Sequence, residues 1–321
     1  MTPSQQENGR RVKPGTPVLT IGTRGSPLAL AQAHETRQRL LAAHPGLSEA
    51  QVAIRIIKTT GDKIQDRALA EAGGKGLFTK EIEEALLDGS IDLAVHSMKD
   101  MPTQLPAGLI MAAYLPREDV RDVLLSTRPM RLADLPQGAT VGTASLRRKA
   151  FLLARRPDLQ VVTFRGNVQT RLRKLEEGVV AATFLALAGL HRLNIAPSGM
   201  QVLEPEEMLP AVAQGAIGIE CRDGDARVLD YLAPLNDAPT QMRVEAERAL
   251  LAVLDGSCRT PIAALAELNG DEMRLRGAIA RPDGTDLIEI ERRGAAKDGV
   301  AMGRDAGADL KGRIGPDFFE A

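Results

Sequence analysis

Residues 18–43, VLTIGTRGSPLALAQAHETRQRLLAA, and the later VAIRIIK at 52–58 decide the fold. Val18 to Thr23 has the apolar content of a strand, and Gly25, Ser26 and Pro27 end it. Leu28, Ala31, Leu40 and Leu41 then supply helical spacing. Ser26 is placed to cap that helix, and Pro27 suits its first turn, where a missing N–H costs nothing. VAIRIIK returns as a strand. Outward from this unit, Gly73-Gly74-Lys75-Gly76 precedes FTKEIEEALL, in which Phe78, Ile82 and Leu86 recur every four residues. Gly89 ends that helix, and IDLAVHS at 91–97 reads as the next buried strand. The βαβα order predicts an α/β fold with a parallel sheet covered on both faces.

A crossing between domains is expected near 115–118, where LIMAAY gives way to LPREDVRD. A second α/β pattern follows: strand ATVGT, helix SLRRKAFLLARR, strand VVTF and helix NVQTRLRKLEEG, with Ser145 and Asn167 at N-cap positions. AIGIEC at 216–221 is a short strand that can return to the first domain. Residues 240–254 form a helix with Thr240 as cap and Asp255-Gly256 as stop. Short alternating segments such as MRLRGAIA and DLIEIERR then predict a small α/β domain with an antiparallel sheet. The expected division is a flexible tail over 1–17, a discontinuous first domain over 18–114 with 214–233, a second over 118–210, and a C-terminal domain over 236–321.

Composition narrows the function. The 41 basic and 42 acidic residues leave a formal net charge of −1, which argues against a polyanion-binding chain. Six Phe, two Tyr and no Trp give single-stranded nucleic acid little to stack on. The two cysteines, Cys221 and Cys258, exclude a disulfide-dense scaffold and a four-cysteine zinc site. No apolar run approaches membrane-spanning length, and residues 1–17 lack the apolar segment of a signal peptide. A cytoplasmic protein is expected.

Basic residues nonetheless gather at element ends. TRGS puts Arg24 and Ser26 at one strand-to-helix turn, and TASLRR puts Ser145, Arg147 and Arg148 at another. FRGNVQTRLRK adds Arg165, Asn167, Arg171 and Arg173, so residues 141–175 hold nine Arg or Lys against Asp158 alone. Exposed N–H groups, the helix dipole and two-pronged guanidinium bonds all suit a carboxylate there. No GxGxxG opens a strand–turn–helix unit, and Gly74-Lys75-Gly76 lacks the Walker A spacing, so nucleotide binding is unsupported. In HSMKDMP, Asp100 can accept a proton or steady a cationic nitrogen and Lys99 can offset negative charge, while His96 alone reads as a packing residue. The four histidines show no metal-ligand spacing. Cys258, in the turn DGSCRTPI beside Arg259, is a candidate nucleophile or covalent anchor; Cys221 reads as a buried thiol.

Seven motifs in order resemble the porphobilinogen deaminase (hydroxymethylbilane synthase) family: IGTRGSPLALAQA, GGKGLFTKEIEEALL, HSMKDMP, VGTASLRR, FRGNVQTRL, LPAVAQGAIGIECR and GSCRTPI. The resemblance implies two α/β domains like those of periplasmic binding proteins around a cleft, plus a third domain carrying dipyrromethane on a cysteine. It implies a transferase that joins four porphobilinogen units head to tail, releases ammonia, and leaves its two-pyrrole primer attached. It makes Cys258 the attachment residue and Asp100 the catalytic carboxylate. Arg24, Ser26, Lys99, Ser145, Arg147, Arg148, Arg165, Arg171 and Arg192 match cofactor or substrate contacts, and Lys75 matches a lysine of a mobile loop. Gln214 falls where the chain returns to the first domain. Porphobilinogen and the growing oligopyrrole are the implied partners of a monomer, with transient hand-over to the next enzyme; nucleic acid, membrane and metal are not implied.

Departures from that pattern are Glu71 for a lysine, Ala144 for Ser, Ala213 for Gly, His191 for lysine and Ser257 for glycine. A binding module for a small organic anion is the competing reading; it gives HSMKDMP and GSCRTPI no joint role.

Overall fold

The computed structural model describes residues 17–63, 78–255 and 260–319. The expected tail over 1–17, save Pro17, lies outside the described residues, as do Glu71, Lys75, Ser257 and Cys258. In chain order come β1 (Leu19–Thr23), α1 (Pro27–Ala43), β2 (Val52–Ile56), α2 (Thr60–Lys63), α3 (Lys80–Leu87), β3 (Leu93–Ser97) and β4 (Leu109–Tyr114). Next are β5 (Asp122–Ser126), β6 (Thr140–Gly142), α4 (Leu146–Arg155), β7 (Gln160–Val162), α5 (Val168–Glu176), β8 (Ala182–Ala186), α6 (Leu187–Arg192) and β9 (Met200–Val202). The chain continues through β10 (Ile217–Arg222), α7 (Ala226–Leu232), α8 (Ala238–Val253), β11 (Ile262–Asn269), β12 (Glu272–Ala280), β13 (Leu287–Ala295) and α9 (Gly299–Gly312).

Three sheets result, two five-stranded and one three-stranded, ordered β2-β1-β3-β10-β4, β7-β6-β8-β5-β9 and β11-β12-β13. The first is apolar on both faces: Leu19, Ile21 and Val95 meet Ala33 and Leu40 of α1, and Ala94 meets Ile82 and Leu86 of α3. That is why its strands read as near-continuous apolar runs. The sheets are mixed, however, rather than parallel as the βαβα order predicts. β10 runs antiparallel to both β3 and β4, and β5 runs antiparallel to both β8 and β9. Each reversed strand is the one that follows a crossing from the other sheet, so it enters from the opposite end. The third sheet is antiparallel throughout, and α8 and α9 pack on it. Those helices lie close because Gly303 faces α8, where an added Cβ would sit 2.2 Å from the Ala246 carbonyl oxygen.

Ser26, Ser145 and Asn167 cap α1, α4 and α5, accepting from Ala29 N, Arg148 N and Thr170 N. The cap of α8 is Asp237, which accepts from Thr240 N, and not Thr240 itself. Pro239 is tolerated in the first turn, so the helix starts two residues earlier than its apolar spacing suggests. Thr240 is buried instead, and its hydroxyl accepts from Arg117 N.

The return crossing is backbone-constrained. Ala213 has φ 59° and Gly215 φ 86°, and a Cβ at Gly215 would lie 2.4 Å from the Glu118 oxygen. Ala213 N donates to Glu247, which also receives Arg117 at 2.6 Å and Ala266 N at 2.8 Å, tying the crossing to the C-terminal domain. Ala213→Gly removes a left-handed penalty of about 1–2 kcal/mol but adds chain entropy and loses a buried methyl of similar worth. It is therefore expected to be neutral within about 1 kcal/mol. Ala213→Val, β-branched in a left-handed and fully buried position, should cost more than about 2 kcal/mol. Urea unfolding of both variants checks the pair.

Candidate active site

The C-terminal ends of β1, β3, β6, β7 and β8 and the N-terminal ends of the reversed β5 and β10 face a cleft holding two adjoining cavities. The deep cavity, so called because it reaches Leu251, Thr260 and Ile262 of the C-terminal domain, is about 470 Å³, and the outer one, beside α1 and α6, about 720 Å³. Phe78, Lys99, Arg148, Arg165 and Arg171 line both.

Asp100 sits in a single 3₁₀ turn directly after β3 and lines the deep cavity. The turn is anchored by buried Met98, whose N–H donates to the Ala216 oxygen of the return crossing at 3.0 Å. Lys99 beside it is partly buried. Desolvation lowers its pKa, and Arg148 and Arg147 push the same way, against Asp100 and Asp122. A bound anion would restore its proton affinity.

Ser145, Arg147 and Arg148 open α4. Both guanidiniums turn inward to Asp122, at 2.6 Å from Arg147 and 2.7 Å from Arg148. Arg165 and Arg171 come from the following loop and α5; Arg171 donates to the Gly166 oxygen at 2.9 Å. Burial, reinforced by Arg148 and Arg165, pushes the Arg171 pKa down to about 10.

Arg24 and Ser26 line the outer cavity, the Arg24 guanidinium standing 4.1 Å from the Phe78 ring centroid. Arg192, at the end of α6, also lines it, and reaches across to Glu35 of α1 at 3.2 Å and to the Gly215 oxygen at 3.0 Å. Lys58 and Lys174, which sequence reasoning did not single out, join this lining. Among the described residues that line either cavity, ten are Arg or Lys and the sole acid is Asp100.

The described sequence-derived residues thus share one cleft. Lys75 and Cys258 lie outside the described residues, and Thr260, the first described residue after Cys258, lines the deep cavity. Of the departures, Ala144 lines both cavities, whereas His191 pairs with Glu118 at 3.0 Å near the crossings. Asp122 was missed altogether, as were Arg117 and Glu247, because their partners lie far along the chain. Among the described residues no group of three His, Cys, Asp or Glu can hold a metal, and no helix is long and apolar enough to cross a membrane.

The donor set fits a polycarboxylate such as dipyrromethane with acidic side chains. The Nε atoms of Arg147 and Arg148 are buried and have no partner among the described residues, an arrangement costly unless an acceptor arrives.

Residues 19–230 match the family model "Porphobilinogen deaminase, dipyromethane cofactor binding domain", and 241–312 match "Porphobilinogen deaminase, C-terminal domain". The chain belongs to the porphobilinogen deaminase family. It is 62% identical to the porphobilinogen deaminase of Paracoccus denitrificans, over 94% of this chain and 96% of that one. It is 58% identical to the chloroplastic porphobilinogen deaminase of rice, Oryza sativa subsp. japonica, over 95% of this chain and 86% of the relative. Among solved structures, the periplasmic aliphatic sulphonate binding protein of Escherichia coli is similar with a TM-score of 0.39 and 18% identity, over 75% of this chain and 70% of that one.

Proposed function

We infer that this cleft joins four porphobilinogen units head to tail, one ammonia leaving at each condensation, and delivers hydroxymethylbilane. The observation that carries the reading is that Asp100 is the one carboxylate among the described lining residues, whose other charged side chains are all Arg or Lys. Each porphobilinogen brings two carboxylates, so a growing chain accumulates negative charge and requires such a lining. Departure of ammonia, by contrast, develops positive charge on the pyrrole, and one fixed carboxylate at that point stabilises it.

Dipyrromethane, held through Cys258 of the C-terminal domain, supplies the free pyrrole carbon on which the chain is built. Arg147, Arg148, Arg165 and Arg171 bind carboxylates in the deep cavity, with Lys99 and the Ser145 hydroxyl beside them. Arg24, Ser26 and Arg192 hold those in the outer cavity, and Lys75, outside the described residues, is a further binding residue on the family resemblance alone. Asp100 accepts pyrrole N–H bonds and steadies the cation. One chain provides both walls of the cleft, which supports a monomer. A cytoplasmic location belongs to the same proposal, on the sparse cysteine content.

Intact mass of denatured protein from cofactor-competent cells should exceed that of the bare chain by two pyrrole units. The same preparation should release ammonia from porphobilinogen as oligopyrrole appears. A bare chain that releases no ammonia overturns the reading.

A further inference from the structure

The two guanidiniums at the floor of the deep cavity are held by one buried acid. Asp122 is the first residue of β5 and is fully buried. Its Oδ2 accepts from Arg147 Nη2 at 2.6 Å; its Oδ1 accepts from Arg148 Nη2 at 2.7 Å and from Gln214 Nε2 at 2.9 Å. Each arginine's second terminal nitrogen goes to a backbone oxygen, Arg147 Nη1 to Leu209 and Arg148 Nη1 to Phe184. Each of the four terminal nitrogens therefore commits one N–H inward, and the two buried Nε–H groups have no partner among the described residues.

Electrostatics make Asp122 indispensable to that arrangement. Two buried guanidiniums on adjacent residues repel each other, and neither can stay buried and charged without a counter-charge. Burial alone would raise the Asp122 carboxyl, but Arg147 and Arg148 together take it well below the ordinary carboxylate range. The acid is thus ionised throughout the working range and leaves one net positive charge on the trio. Gln214, in the return crossing, links the same carboxylate to the first sheet.

We propose that Asp122 is the positioning residue of the deep half of the cleft, orienting Arg147 and Arg148 so that their Nε–H groups meet carboxylates of the bound pyrrole chain. This rests on the oligopyrrole reading above. Asp122 touches no substrate; it acts through the two arginines.

The test sets charge against shape. Asp122→Asn keeps the shape and removes the charge, whereas Asp122→Glu keeps the charge on a longer arm. In folded holoenzyme, Asp122→Asn should raise KM for porphobilinogen about tenfold with kcat within about threefold, and slow covalent primer assembly, followed by intact mass, about tenfold. Asp122→Glu should recover more than half of the KM loss on a logarithmic scale. A purely packing role predicts the reverse order, because the larger side chain disturbs a close-packed site more. In a double-mutant cycle, Asp122→Asn should add little to the KM of Arg148→Gln. Where Asp122→Asn does not fold, Gln214→Leu, which removes the 2.9 Å donor to the same carboxylate, should raise KM about threefold. Wild-type KM and primer assembly in folded Asp122→Asn, or strictly additive losses with Arg148→Gln, overturn the proposal. So does an unchanged KM in Gln214→Leu. A wild-type chain that neither carries the adduct nor releases ammonia instead overturns the oligopyrrole reading itself.

Discussion

Asp100→Asn holoenzyme is expected to elongate in a single turnover about two to three orders of magnitude more slowly than its parent, a loss of about 3–4 kcal/mol of transition-state stabilisation. The substitution nearly preserves shape and hydrogen bonding. It deletes the only negative charge among the described residues that line the cavities. The charged side chains left among the described lining residues are then all basic, and they disfavour any cation formed when ammonia departs. Binding should suffer far less, because the carboxylates of the substrate are held by arginines and lysines that remain in place. The measurement is ammonia release and oligopyrrole growth from a folded preparation whose primer is already mounted, so that failed primer assembly is not scored as failed turnover. Near-normal single-turnover elongation would remove Asp100 from the centre of the chemistry.

Cys258→Ala should abolish the covalent adduct outright while the first two sheets still fold, since strands and helices of those sheets supply their own apolar packing, such as Leu19 with Ile219 and Val123 with Leu190. Cys221→Ala is the matched control. Cys221 is buried in β10, and burial pushes its thiol up to about 11, so it is not a thiolate at neutral pH. Intact mass should show no adduct in the first variant and the full two-pyrrole increment in the second, with circular dichroism confirming that both are folded. An adduct retained by Cys258→Ala would move the attachment elsewhere.

What the sequence made legible was local. Ser26, Ser145 and Asn167 occupy their helix starts because capping involves residues three apart, a range that a sequence motif encodes. Asp100 and its neighbours were legible because a short turn after a strand carries them together. Asp122 was not, since its meaning comes from Arg147, Arg148 and Gln214, which are 25, 26 and 92 residues away. The inward turn of the two arginines was hidden for the same reason: a basic pair at a helix start looks alike whether it faces a ligand or a buried acid. The reversed strands β5 and β10 escaped the βαβα pattern because strand direction depends on which end of a sheet the chain enters after a crossing. No local apolar period records that.

The placement of β10 has a consequence for synthesis on the ribosome. The strands of the second sheet are contiguous from Asp122 to Val202, whereas the first sheet, begun at Leu19, receives β10 between β3 and β4 only when residues 217–222 have emerged. Vectorial translation therefore lets the interior segment of the polypeptide reach its native pairing while the earlier-made strands β3 and β4 still wait with open edges. Such edges are templates for pairing with other nascent chains. The interval between residue 114 and residue 222 is thus the period in which a newly made molecule is most exposed to aggregation and most in need of a holding chaperone.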